Sequence, residues 1–233
     1  MTDARVRGAG RPERPVRPAL SREYIVATAL ALIDRDGLKP LSMRRLGAEL
    51  GADPMAIYHH LPSKSALFDG IVEAVYQEID LSQLPTAGTW REQIEWFARR
   101  LRAVLRQHPN AVPVIGTRPA TTPTLLRILD DSLGHLIAGG LAASDAIDVV
   151  NCVATFTVGH VLAEVGEPVG GQGGDEGLAA ITPGTHPHIA SAFASGYAYR
   201  PDAQYELGLS SMLDGFEARF GIPTRKGRRR SPT

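Results

Sequence analysis

Apolar and polar positions recur with helical spacing along almost the whole chain. Ile25, Ala29, Leu32 and Ile33 fall on one side of a first helix, which Ser21 can cap and Asp36-Gly37 can close. Leu46 and Leu50 do the same for a second helix, capped by Ser42 and ended by Gly51. Asp53 and Pro54 start a third helix of barely two turns, stopped at Pro62. Leu67, Ile71 and Val75 form the stripe of a fourth, over 63–79. Trp90, Ile94, Phe97, Leu101 and Leu105 predict a long amphipathic helix ending near His108-Pro109. Prolines break 110–123, and 166–184 is a flexible, glycine-rich loop by composition. Further helices are expected over 124–138, 144–164, 188–198 and 202–220. No alternating strand pattern or internal repeat is visible, so the expected fold is all-α.

The short third helix buries little by itself and suits presentation to a partner. A helix-turn-helix needs a small residue inside its first helix, a glycine at the corner and an apolar anchor on its second helix. Gly47, Gly51 and Ile57 stand at those offsets. A helix this short suffices to enter a DNA major groove about 12 Å wide. Pro54, Met55, Ala56, Tyr58 and His59 would then face bases and backbone, with Arg44 and Lys64 meeting phosphates at the flanks. The spacing alone also fits a packed helix corner with no partner.

Charge is balanced, 25 Lys+Arg against 25 Asp+Glu, but unevenly placed. Arginines crowd residues 1–22, and Arg225, Lys226, Arg228, Arg229 and Arg230 crowd the end. Basic termini on a neutral body suit a polyanion such as DNA, or are solvated tails. Residues 1–19 are read as a disordered basic arm and 223–233 as a basic tail, with 20–80 and 81–222 as the two folded units between them. The single cysteine, Cys152, rules out an internal disulfide and sits in an apolar run, where a buried side chain is expected. No apolar stretch is read as long enough to span a bilayer, so a soluble, cytoplasmic protein is expected.

Residues 20–71, "LSREYIVATALALIDRDGLKPLSMRRLGAELGADPMAIYHHLPSKSALFDGI", resemble the DNA-binding domain of the tetracycline-repressor family. Tyr58, His60 and Lys64 match a motif specific to it. Weaker resemblance continues through "GTRP" at 116–119, "FTVGHVLAE" at 156–164 and "YELGLSSMLDGFEARF" at 205–220. The resemblance implies a helix-turn-helix domain joined to a larger ligand-binding and dimerisation domain. It implies operator contacts from Arg44, Met55, Ala56, Tyr58, His59, His60 and Lys64. Four positions depart from the repressor pattern. Met43 replaces a hydroxyl residue, Pro54 a base-reading glutamine, Met55 a proline and His59 a tryptophan. The operator sequence should therefore differ. Pro54 has no amide to read adenine and offers only apolar contact.

The later helices carry no nucleophile elbow, phosphate loop or Cys/His metal spacing, so neither an enzyme nor a cofactor or metal is expected. His186-x-His188 reads as a pair of exposed histidines. Their apolar faces are broken by single polar groups, as in a bundle ligand pocket. Phe97, Leu101, Leu105, His108, Ile115, Arg118, Leu129, Val153, Thr155, Phe156, His160 and Glu164 are candidate lining residues. Val114 stands where the family's magnesium–tetracycline site has a histidine, and Phe97 and Asp80 lie near two further donor positions. The resemblance thus argues against that chelate and for a small, mostly apolar effector. Apolar stripes at Ile147, Val150, Ala154 and Val158, and at Leu207, Met212, Leu213 and Phe216, resemble the family's four-helix dimer interface. The expected protein is a homodimeric repressor on a palindromic operator. A nonspecific architectural DNA-binding protein is the alternative.

Overall fold

The computed structural model describes residues 19–119, 121–166 and 175–221. The basic arm, the basic tail and much of the glycine-rich loop lie outside the described residues. The described chain is all helical: α1 Arg22–Asp36, α2 Met43–Leu50, α3 Pro54–His60, α4 Lys64–Gln77, α5 Trp90–Gln107, α6 Val112–Thr117, α7 Pro123–Ala138, α8 Ala143–Val165, α9 Asp175–Ala179, α10 Pro187–Ala194 and α11 Pro201–Phe220. Side-chain caps start most of the long helices. The Ser21, Ser42 and Ser63 hydroxyls accept from the backbone N–H groups of Tyr24, Arg45 and Ala66, and Thr89 with Glu92 closes a reciprocal box on α5.

Two apolar clusters run through the molecule. The first joins α1–α4 to the adjoining ends of α5, α6 and α8, through Leu67, Ile71, Leu101, Leu105, Val112 and Val161. The second joins α5, α7, α8 and α11 around Trp90, Val149, Val153, Tyr205 and Leu209. The four N-terminal helices therefore share a core with the larger bundle. α4 touches α1 on one side and α5, α6 and α7 on the other. Its crossing with α1 is close: a Cβ at Gly70 would lie 2.6 Å from a Val26 methyl.

Three expectations are corrected. The helix expected over 188–198 stops at Ala194, because Gly196 takes a positive φ of 86°. Cys152 is exposed, since it sits on the outward side of α8 beside buried Val149, Val150 and Val153. α8 itself has 23 residues and contains an 18-residue stretch with a mean hydropathy of 1.6, long and apolar enough to cross a membrane by those measures. Its interior threonines and His160 obscure that in a linear reading. In the fold α8 packs against α5, α6, α7 and α11, with about a third of that stretch buried.

Candidate functional site

The α2–α3 corner is built by contact at its glycines. Gly51 takes the left-handed conformation, φ 66° and ψ 32°, which ends α2. The N–H of Ala52 donates to the Gly47 carbonyl at 2.9 Å. A Cβ at Gly47 would lie 2.8 Å from the Ala52 carbonyl oxygen and against the Pro54 ring. The Asp53 carboxylate accepts from Met55 N–H at 2.7 Å and starts α3. Ile57 and Leu61 are fully buried beneath it. The remainder of α3 faces outward: Met55 is 65% exposed, Tyr58, His59 and His60 are exposed, and Pro54 and Ala56 are half-buried.

The flanking cations differ from one another. Arg45 is held by Asp36 at 2.7 Å, and Arg35 by Asp36 and Glu49. Neighbouring Arg44 is exposed and has no ion pair among the described residues. Lys64 donates to the Leu41 carbonyl at 3.2 Å and lies 5.4 Å from the Phe68 ring centre. It thereby ties the start of α4 to the chain before α2, while its exposed ammonium keeps further donors.

Three side chains join the N-terminal helices to the bundle. His108 sits at the end of α5, its Nδ1 2.8 Å from Asp34 of α1 and its Nε2 3.1 Å from Glu78 after α4. Burial opposes its charged form, but hydrogen bonds and the charges of both carboxylates outweigh it and raise its pKa above the ordinary value. Asn110 donates from Nδ2 to the Ile33 and Asp34 carbonyls, both at 3.1 Å. Arg118, after α6, donates to Asp69 at 2.9 Å and to the Ser65 hydroxyl at 2.8 Å on α4.

A cavity of about 120 Å³ opens between α4, α5, α7 and α8. Tyr76, Leu81 and Leu84 line it at the end of α4 and beyond; Gln93, Ile94 and Phe97 come from α5; Leu125, Ile128, Leu129, Ser132 and Leu136 from α7; Val150, Asn151 and Ala154 from α8. Burial raises the Tyr76 phenol pKa. Of the twelve expected lining residues, Phe97 and Leu129 are at this cavity. Leu101, Leu105 and Ile115 are buried in the first core cluster, and His108 and Arg118 are the interhelix ties above. Phe156, His160 and Tyr205 form a ring cluster, with centroids 5.2 to 5.8 Å apart. His160 also bonds to the Pro201 carbonyl, and Glu164 pairs with Arg102 at 2.8 Å. These polar groups satisfy one another because the bundle crosses at that end. Gln93 and Asn151 had no marker in the sequence, where each is one polar residue among many on an amphipathic helix.

The expected dimer stripes divide in two. Val150 and Leu213 are buried in the chain's own second cluster, with Met212 and Phe216 packed against it. Ala154 and Val158 are half-buried against the first cluster. Ile147 and Leu207 face outward, Leu207 at 67% exposure, and so does Leu162 of α8, which lay outside the expected stripes.

A family model described as the tetracyclin repressor-like, C-terminal domain matches residues 83–220, more than half of the chain. A second, described as bacterial regulatory proteins, tetR family, matches residues 25–71. The chain belongs to the tetR family. Among tetR relatives, the tetracycline repressor protein class A of Escherichia coli is 31% identical over 204 residues, 86% of this chain and 92% of that protein. An HTH-type transcriptional regulator of Saccharopolyspora erythraea is 35% identical over 156 residues, 66% of each chain. The match to the repressor DrrR1 of Streptomyces coeruleorubidus spans 57% of that protein. A crystal structure of a possible tetR-family regulator from Streptomyces coelicolor superposes with a TM-score of 0.73 at 34% identity, over 85% of this chain and all of that one. The Streptomyces coelicolor tetR-family protein ActR, in complex with actinorhodin, superposes at 0.74 with 25% identity, over 88% of this chain and all of that one.

Proposed function

We propose that the protein is a ligand-responsive transcriptional repressor that binds a palindromic operator as a homodimer and is released by a small, mostly apolar effector. The observation that carries this reading is the presentation of α3. One buried anchor, Ile57, holds a helix whose Met55, Tyr58, His59 and His60 all face outward, with Arg44, which has no ion pair among the described residues, beside it. Residues 20–80 serve as the DNA-binding unit, and 81–222 as the unit for effector and dimer. The outward apolar residues of α8 and α11, Ile147, Leu162 and Leu207, support a twofold interface. The apolar cavity beside α4 supports an effector site.

In the mechanism, effector between α4, α5, α7 and α8 shifts α4 relative to α5. His108, Asn110 and Arg118 pass that shift to α1 and α4, and the two recognition helices lose the spacing of successive major grooves. Coupling of about 1–3 kcal/mol lowers operator affinity some 5- to 150-fold. Footprinting of DNA flanking the protein's own gene tests the reading. Protection of an inverted repeat is expected. Uniform, sequence-independent coverage would instead mark an architectural binder. A monomer in sedimentation at micromolar concentration would remove the dimer.

A further inference from the structure

The cavity wall has a consistent chemistry. None of its lining side chains carries a charge. An ionic ligand would lose its hydration there with no counter-ion, which is costly. Ser132 already donates its hydroxyl to the Ile128 carbonyl at 2.8 Å. Gln93 is different. The residue is 5% exposed, and its Nε2 is directed to the Pro85 carbonyl at 3.4 Å. Its Oε1 is buried with no hydrogen-bond partner among the described residues. A buried acceptor without a donor is destabilising, and native proteins carry few of them. Trp90 Nε1, one turn earlier on α5, also has no partner among the described residues, but Trp90 does not line the cavity. Gln93 Oε1 is therefore the buried acceptor left open on the wall, beside the Tyr76 hydroxyl and the exposed Asn151 amide. The cavity, about 120 Å³, compares with the roughly 150 Å³ that holds one benzene ring in other proteins.

We propose that the effector is an uncharged, single-ring aromatic molecule bearing a hydroxyl or N–H group, and that Gln93 Oε1 selects it by accepting that hydrogen. This rests on the cavity being the effector site. Phe97, Leu129 and Ile128 hold the ring, and the donor group lies toward α5. A methyl ether of the same molecule has no hydrogen to give and gains nothing from Gln93.

Isothermal titration of the full chain with four probes of similar size tests this: p-cresol, p-xylene, 4-methylanisole and 4-methylbenzoate. Wild type is expected to bind p-cresol roughly tenfold tighter than p-xylene or 4-methylanisole, and 4-methylbenzoate not at all. Gln93→Leu and Gln93→Met, each checked for an intact thermal transition, should keep p-xylene binding and lose the preference for p-cresol. Equal binding of p-cresol and p-xylene by wild type overturns the proposal, as does a preference that survives both substitutions or tight binding of the benzoate. In each of those cases binding of p-xylene leaves the cavity reading standing. Failure of all four probes to bind removes the cavity reading and the proposal together.

Discussion

His108 Nδ1 lies 2.8 Å from the Asp34 carboxylate, while the other ring nitrogen faces Glu78 at 3.1 Å. Carboxylates only accept, so both contacts are satisfied together when the ring carries two protons. The bonded ring thus spans the end of α5, the end of α1 and the end of α4 as a cation, and its pKa is raised. A group with a raised folded-state pKa stabilises fully below its unfolded value, 6.5, and loses that contribution as pH rises through the folded value. The melting temperature of wild type should therefore exceed that of His108→Gln most near pH 6, with the gap closing toward pH 9. A gap independent of pH over that range would mean the ring is held neutral.

Arg44 and Arg45 are neighbours with different fates. Arg45→Ala breaks a surface pair with Asp36 and should change stability by less than about 1 kcal/mol. Arg44→Ala should leave stability alone and weaken specific operator binding by about 1–3 kcal/mol. Lys64→Ala should weaken binding more evenly across sequences. Gel shifts on operator and random DNA would check this, and identical effects of Arg44→Ala and Lys64→Ala on both DNAs would refute the distinction.

Gly47→Ala places a methyl 2.8 Å from a backbone carbonyl of the corner. That oxygen is fixed by the chain itself, so α3 must move. A loss of about 2 kcal/mol in stability is expected, together with loss of operator binding. Unchanged thermal unfolding and DNA affinity would show that the corner has slack.

Arg102 and Glu164 pair at 2.8 Å with side chains only 9% and 5% exposed. The Arg102 guanidinium also lies 4.6 Å from the Tyr205 ring centre, and Tyr205 bonds Thr157 at 2.9 Å. Glu164→Leu leaves the buried guanidinium with the exposed Asp202 alone. A loss of roughly 3 kcal/mol is expected in chemical denaturation. The double change Arg102→Met with Glu164→Leu should recover much of it, since the buried charge that has lost its buried partner is then gone.

Arg118 clamps Asp69 and Ser65 of α4 from the far side of α6. Arg118→Met should leave effector affinity nearly intact and reduce the effect of effector on operator binding. Fluorescence anisotropy on labelled operator, with and without effector, measures this; full release in the variant would place the coupling elsewhere.

Helix positions and caps were legible in the sequence because they depend on local spacing. Ser21, Ser42, Asp53 and Ser63 each satisfy an N–H two or three residues away, and Gly51 fills a left-handed position beside its own helix. The corner of α2 and α3 is equally local, so Gly47 and Ile57 stood out by offset alone. The cavity was barely legible: of twelve expected lining residues only Phe97 and Leu129 are there. Leu101 and Leu105 share the apolar stripe of α5 with Phe97, but the crossings of α4, α6 and α8 bury them in packed core. His108, Arg118 and Glu164 look like isolated polar groups along the chain, and find partners 74, 49 and 62 residues away.

The sequence by itself determined an all-helical chain and a recognition corner, because helix period, capping and turn glycines act over a few residues. Which arginine of the corner stays unpaired among the described residues, which apolar side chains border the cavity and where Gln93 keeps an open acceptor were decided only by tertiary structure. Those properties depend on what neighbouring helices bring within about 4 Å, and no local pattern carries that information.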